Sequence, residues 1–233
     1  MKNVIIIPTY NEKENIKILI PLIFELLPNF SVLVADDNSL DGTYEEVQRL
    51  KKLYPNLSGF LGEGERGFAK AYITAFSKVL DKKEAESIIM MDADFAPQLK
   101  YLPEMIKKSK DYQIVIGSRY VTGSKVIGYN LSRKIISFLG NVSYRKILRI
   151  PIRDYSCGYM VISTKLMEKI DLSKIGSEGY AFISELKYLL FKAGGRFFEV
   201  PVTFTERSIG ESKFSLAILW EGILTPWRIL FRK

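Results

Sequence analysis

Ser87-Ile-Ile-Met-Met-Asp-Ala-Asp94 joins a run of apolar residues to two carboxylates separated by one small residue. A short apolar run closed by polar residues reads as a buried strand, with the carboxylates where it emerges into a loop. Side chains two apart on an extended chain point to the same face, so Asp92 and Asp94 can reach one divalent cation. A solvated turn after a buried strand, which Asp also favours, fits the same residues. The surrounding sequence has to decide between the two.

Similar apolar runs lie at 4–7, 31–35 and 113–116, and helical patterns lie near 13–27, 42–53, 68–80 and 100–109. This alternation predicts βαβ units, a mostly parallel twisted sheet with helices on both faces, and one compact α/β domain. Ligands in such sheets bind at the carboxyl ends of the strands, where strand order reverses. The polar motifs fall there: Pro8-Thr-Tyr-Asn-Glu12, Asp36-Asp-Asn-Ser39, Asp92-Ala-Asp94 and Gly117-Ser-Arg-Tyr120 each follow a predicted strand. Farther on, the pattern predicts an amphipathic helix over 131–148, a strand near 158–162, a helix over 179–193 and a strand over 196–200. A polar segment, 206–213, follows. No internal repeat or Pro/Gly/Ser-rich linker divides the chain.

Composition excludes several chemistries. Among 233 residues there is one cysteine, Cys157, and no histidine, so neither a disulfide framework nor the commonest general base and transition-metal ligand is present. Any metal is then a hard one held by oxygen, Mg2+ or Mn2+. The formal net charge is +8, and between Tyr112 and Arg153 there are eight basic residues and no acidic one. Such a surface attracts phosphate groups or an anionic membrane; solvated helix faces are the plainer account. Charge alone suggests nucleic acid, but no aromatic-basic recognition motif accompanies it, and no nucleic-acid partner is expected.

Met1-Lys-Asn runs directly into the first strand, too short for a signal peptide, which predicts a protein of the cytoplasmic side. The segment 214–233 is apolar through Phe231 and carries Trp220 and Trp227, interrupted by Glu221, Pro226 and Arg228. It barely reaches the length of a bilayer span. We expect an interfacial helix kinked near Pro226, with Arg228, Arg232 and Lys233 near anionic lipid, appended to a domain over 1–213. A helix closing the core fits the same pattern.

Taken together, these motifs resemble the dolichyl-phosphate mannose synthase branch of the family 2 inverting glycosyltransferases. The resemblance covers nearly the whole chain and also draws on Leu40-Asp-Gly-Thr43, Arg153-Asp154 before Cys157-Gly158, Gly179-Tyr-Ala-Phe182, Glu199-Val-Pro201 and Gly210-Glu-Ser-Lys213. It implies a GT-A (nucleotide-diphospho-sugar transferase) fold and transfer of mannose from GDP-mannose to dolichyl or another polyprenyl phosphate. The setting would be the cytoplasmic face of a membrane, with a membrane-spanning subunit as a further partner. A UDP-glucose-dependent glucosyltransferase, or a sugar-nucleotide-binding module without turnover, are the alternatives.

By this resemblance Pro8, Tyr10, Glu12, Asp36, Asp37, Arg66, Asp92 and Ala93 line the donor nucleotide, and Asp92 and Asp94 hold the metal on its diphosphate. Turn and capping chemistry also accounts for Asp36-Asp-Asn-Ser39, and helix capping for Arg66-Gly67. Arg119, Arg133 and Ser137 would grip the acceptor phosphate, and Asp154 and Glu185 would face the sugar. Arg207 and Lys213, flanking Gly210, would close over the donor and join Asp94 and Arg119 in catalysis. Arg119 also suits a structural ion pair, Arg133 a solvated face, and Asp154 or Glu185 a buried structural acid. One departure stands out: such synthases often carry Gln two residues after the second Asp, where this chain has Ala96. Either water or Gln98 then completes the metal shell, or the metal is held more weakly. The absence of histidine fits the implied reaction, because a phosphate monoester is already anionic near neutral pH and attacks without a general base.

Overall fold

The computed structural model describes residues 3–64, 66–95, 98–179, 181–205 and 216–231. β1 (Asn3–Thr9) lies in the middle of a parallel group, which explains its unbroken apolar run, since both faces are covered. On one side it pairs with β2 (Ser31–Asp36), Val4 opposite Ser31 through Thr9 opposite Asp36; on the other with β4 (Ser87–Met90), Asn3 opposite Ser87 through Ile6 opposite Met90. With β3 (Leu57–Leu61), β5 (Ile114–Ser118), β7 (Met160–Ser163) and β8 (Phe197–Pro201) the sheet has seven strands in the order β3-β2-β1-β4-β7-β5-β8. β7 alone is antiparallel to its neighbours β4 and β5. A second, two-stranded parallel sheet joins β6 (Lys125–Ile127) to β9 (Thr203–Thr205).

The helices are α1 (Lys13–Leu26), α2 (Thr43–Lys51), α3 (Phe68–Lys82), α4 (Leu102–Lys108), α5 (Leu131–Leu148), α6 (Thr164–Met167), α7 (Ala181–Lys192) and α8 (Leu216–Phe231). All the helices expected from periodicity are present within a few residues. β3 was not among the expected strands, because Pro55, Asn56, Ser58 and Gly59 interrupt its apolar pattern. Gly59 has a packing reason: a Cβ there would lie 2.8 Å from Val47 Cγ1, so glycine lets α2 settle on this edge strand. α3 and α7 meet through Tyr72, Phe76 and Phe182, whose rings stack at 5.8 Å (Tyr72 to Phe182) and 6.4 Å (Phe76 to Phe182).

α8 packs against α5 and α7. It buries Thr225 and Ile229 and exposes Leu224, Trp227 and Phe231, continuing as one helix through Pro226. α5 exposes Leu131, Ile135, Phe138 and Leu139, so the two helices together present apolar side chains to the outside. Among the described residues no helix is long and apolar enough to cross a membrane.

The join between α7 and β8 is tight. A Cβ on Gly195 would lie 2.5 Å from Ile114 Cδ1 and 2.8 Å from the Leu190 carbonyl oxygen, and the carbonyl cannot move aside as a side-chain end can. Gly195→Ala is therefore expected to cost about 1–3 kcal/mol through overpacking, read as a lower urea midpoint with an unchanged slope.

Candidate functional site

β1, β2, β4 and β5 run in the same direction, so their carboxyl ends lie along one edge of the sheet, where the ligand crevice of such folds lies. The chain leaving β1 is tied to the chain leaving β2: the backbone N–H groups of Asn11, Glu12 and Lys13 donate to Ser39 Oγ (2.9 Å), Thr43 Oγ1 (3.0 Å) and Asp41 Oδ2 (3.1 Å). The 39–43 loop thus satisfies amides at the start of α1 that have no partner within the helix. Asn11 and Asn38 both take left-handed φ angles, 57° and 56°, and both brace the crossing: Asn11 Oδ1 accepts from Leu40 N, and Asn38 Nδ2 donates to the Gly62 carbonyl. Neither asparagine's bracing role was expected from the sequence.

The adjacent acids Asp36 and Asp37 divide their work. Asp36 is buried, accepting from Thr9 Oγ1 (2.8 Å), Ser39 N (2.9 Å) and Ser39 Oγ (2.6 Å). Asp37 is partly exposed at the strand end, and its Oδ2 accepts from Gly67 N at 2.9 Å, which fixes the start of α3 beside it. Arg66 lies over the Tyr10 ring, 4.5 Å from its centroid, and donates to the Tyr10 hydroxyl. Tyr10, Asp37 and Arg66 therefore form one wall of the crevice. Pro8 lies within β1, partly buried, and Glu12 Oε2 accepts from Asn15 Nδ2 in the first turn of α1.

Asp92 is half-buried and Asp94 buried, just past β4, with Ala93 buried between them. Phe95 then takes a left-handed φ of 56°, an uncommon and strained state for an aromatic residue, and turns the chain sharply after the carboxylates. Ala96 lies outside the described residues. Gln98 Oε1 is a buried oxygen without a hydrogen-bond partner among the described residues, while the Gln98 carbonyl accepts from Tyr159 Oη at 3.4 Å. Two carboxylates and an unsatisfied amide oxygen within seven residues suit a hard cation. Among the described residues no cluster of three or more His, Cys, Asp and Glu side chains could hold a metal.

Arg119 and Asp154 form a buried, bidentate ion pair: Arg119 Nε donates to Asp154 Oδ2 at 2.8 Å and Nη2 to Oδ1 at 2.7 Å. Nη2 also reaches Ser156 Oγ at 2.7 Å, and the guanidinium lies over the rings of Tyr120 and Phe204. Burial alone would raise the Asp154 carboxyl, but the Arg119 charge and its hydrogen bonds bring it below the usual carboxylate value. Lys187, wholly buried on α7, donates to the carbonyls of Asp154 (2.8 Å), Tyr155 (3.1 Å) and Cys157 (2.8 Å), its ammonium lowered to about 8 by burial against the pull of Asp154. Glu199 accepts from Arg153 N and Asp154 N. The roles of Lys187 and Glu199 were not foreseen, although a lysine within the apolar stretch of α7 was a signal. Burial raises the Cys157 thiol to about 11, as suits an unreactive packing residue.

Glu185 is buried as well, and its Oε2 accepts from Gly176 N (3.2 Å) and Ser177 N (2.7 Å). Both Asp154 oxygens are already engaged, by the Arg119 side chain and by the Arg119 and Cys157 amides, so Asp154 is the less available of the two acids to a sugar. On the other side of Arg119, Tyr120 Oη donates to Ser137 Oγ at 2.6 Å, and Arg133 lies 3.8 Å from the centroid of the Tyr129 ring. The expected acceptor-side residues Arg119, Arg133 and Ser137 are thus linked through Tyr120 and the first turns of α5. Arg207 and Lys213 lie outside the described residues.

Residues 4–171 match the family described as glycosyl transferase family 2. The undecaprenyl-phosphate mannosyltransferase of Micrococcus luteus is 34% identical over all of this chain and 96% of its own length. The polyprenol monophosphomannose synthase of Mycolicibacterium smegmatis is 34% identical over 98% of this chain and 87% of its own. The crystal structure of glucosyl-3-phosphoglycerate synthase from Mycobacterium tuberculosis with Mn2+, UDP and phosphoglyceric acid superposes over the full chain and 79% of that protein. The TM-score is 0.69 at 16% identity, and a complex of the same enzyme with Mg2+ and UDP gives 0.67. The shared architecture is the GT-A fold.

The ion pair supplies a pH test. Asp154→Asn leaves Arg119 buried without its counter-charge and should cost about 3–5 kcal/mol near pH 7. Because the folded carboxyl titrates below its ordinary value, wild-type stabilisation is complete above that value and is lost as pH falls through the folded one. Urea unfolding of both proteins should therefore show a gap that is constant near neutrality and narrows in acid.

Proposed function

The chain belongs to glycosyl transferase family 2, and on that premise we propose that it transfers a mannosyl residue from GDP-mannose to a polyprenyl phosphate with inversion at the anomeric carbon. The observation that carries the reading is Asp92-Ala-Asp94 just past the end of β4, in a chain whose relatives over nearly its full length are named undecaprenyl-phosphate mannosyltransferase and polyprenol monophosphomannose synthase. Asp92 and Asp94, with Gln98 Oε1, hold a divalent cation, Mg2+ or Mn2+. When bound, the cation stabilises the charge that develops on the departing diphosphate. Tyr10, Asp37 and Arg66 line the nucleoside, and Asp36 holds that wall from behind.

Arg133 and Ser137 receive the acceptor phosphate, whose oxygen is the nucleophile, so no side chain has to remove a proton. The guanidinium and hydroxyl orient that oxygen and offset repulsion between two anionic substrates. Arg119 is a positioning residue in this scheme: engaged by Asp154 and Ser156, it places Tyr120, and through Tyr120 it places Ser137. Arg207 and Lys213 complete the charge around the donor.

The reaction is tested by incubating the purified chain with GDP-mannose, Mn2+ and undecaprenyl phosphate and analysing the lipid extract by mass spectrometry. A mannosyl phospholipid is expected, with UDP-glucose giving a kcat/KM lower by roughly tenfold or more, a difference of about 1.4 kcal/mol. Failure to form mannosyl lipid with either Mg2+ or Mn2+ would sink the assignment; preferential use of UDP-glucose would move it to the glucosyl alternative.

The setting proposed is the cytoplasmic face of a membrane, on which the chain rests through α5 and α8. The exposed Ile135 and Leu139 of α5 and Trp227 of α8 supply apolar anchors, with Arg145, Lys146 and Arg228 on the same helices facing anionic headgroups. Replacing Leu139 and Trp227 together by serine should weaken sedimentation with phosphatidylglycerol vesicles by roughly tenfold or more. Undiminished sedimentation would place the membrane contact elsewhere.

A further inference from the structure

Beside the proposed phosphate grip lies a cleft of about 340 Å3 lined by Tyr120, Val126, Tyr129, Lys134 and Phe138. Its size falls within the range of small-molecule sites, about 300–1,000 Å3. Four of its five walls are apolar or aromatic, and the one charged side chain, Lys134, is exposed. The cleft has a local cause: on β6, Lys125 and Ile127 point to solvent while Val126 between them points inward, as strand alternation requires. Pairing of β6 with β9 holds Val126 in place. Across from it, Lys134 and Phe138 stand one turn apart on α5, and the Tyr120 and Phe138 rings approach to 6.4 Å.

Two of these walls touch the side chains assigned to the acceptor phosphate: Tyr120 donates to Ser137, and the Tyr129 ring lies beneath Arg133. The arrangement is amphiphilic, cationic and hydroxylic on one side and apolar on the other. Leu131, Ile135 and Leu139, on the same helix as Phe138, are exposed. We infer that this cleft receives the first isoprene units of the acceptor, next to its phosphate, and that Val126, Tyr129 and Phe138 set the preference for a prenyl chain. The inference rests on the proposed mannosyl transfer to polyprenyl phosphate. A phosphate seated on Arg133 and Ser137 would bring its attached carbons beside this cleft, and the rest of the chain would run out over α5 toward the lipid surface.

The test uses the full chain with GDP-mannose, Mn2+ and water-soluble acceptors of one, two and three isoprene units: dimethylallyl, geranyl and farnesyl phosphate. Wild-type transfer to undecaprenyl phosphate is established first, so that its absence counts against the parent reading and not against the cleft. Wild-type kcat/KM should then climb with each added unit. Val126→Trp, which fills the cleft, should lower kcat/KM for farnesyl phosphate by roughly tenfold or more while the KM for GDP-mannose holds. Phe138→Ala, which removes a wall without adding bulk, should act in the same direction and decides the matter if the tryptophan variant fails to fold. Equal kcat/KM for all three acceptors in the wild type, or unchanged kcat/KM for farnesyl phosphate in a folded variant, would overturn the inference.

Discussion

The buried pair of Arg119 and Asp154 joins the three parts of the molecule that have to meet. Arg119 is the first residue past β5, Asp154 sits in the loop before β7, and the guanidinium is covered by Tyr120 and by Phe204 of β9. A buried ion pair is weak evidence for net stability, since desolvation of both charges opposes their attraction. Its value here is positional. Both carboxylate oxygens and two guanidinium nitrogens are engaged, the Asp154 carbonyl accepts from Lys187, and the Asp154 amide donates to Glu199. The residue that follows, Tyr120, is thereby aimed at Ser137 on α5.

The donor side uses a different device. Loops leaving β1 and β2 brace one another through side chains capping backbone amides, with two asparagines absorbing the sharp bends. Asp36 disappears into this scaffold while Asp37 remains at its mouth. The two halves thus follow one rule: one acid is buried to hold backbone, and a neighbouring side chain, Asp37 or Tyr120, stays partly exposed.

Much of this was legible in the sequence because strand ends carry the polar motifs. The parallel core, the span of α5 and the position of Asp92-Ala-Asp94 all follow from apolar periodicity and from where it stops. β3 was hidden by its own glycine and polar residues, and the reversed direction of β7 cannot be read from a short apolar run, which looks alike either way. Arg119 and Asp154 were visible as charged residues near the site, but a sequence does not show that they face each other 35 positions apart. Gln98 was identified only as a substitute for the oxygen missing at Ala96; that its amide oxygen is buried and without a hydrogen-bond partner among the described residues is a property of the folded chain.

In the proposed reaction Asp92 and Asp94, with Gln98, form a metal site completed by the donor's diphosphate. Calorimetric titration of Mn2+ into the protein with and without saturating GDP measures this directly. GDP should tighten Mn2+ binding, Asp92→Asn and Asp94→Asn should each abolish the tightening, and Gln98→Ala should weaken it by roughly tenfold. Mn2+ affinity that is indifferent to GDP, or unaffected by loss of either aspartate, would contradict it.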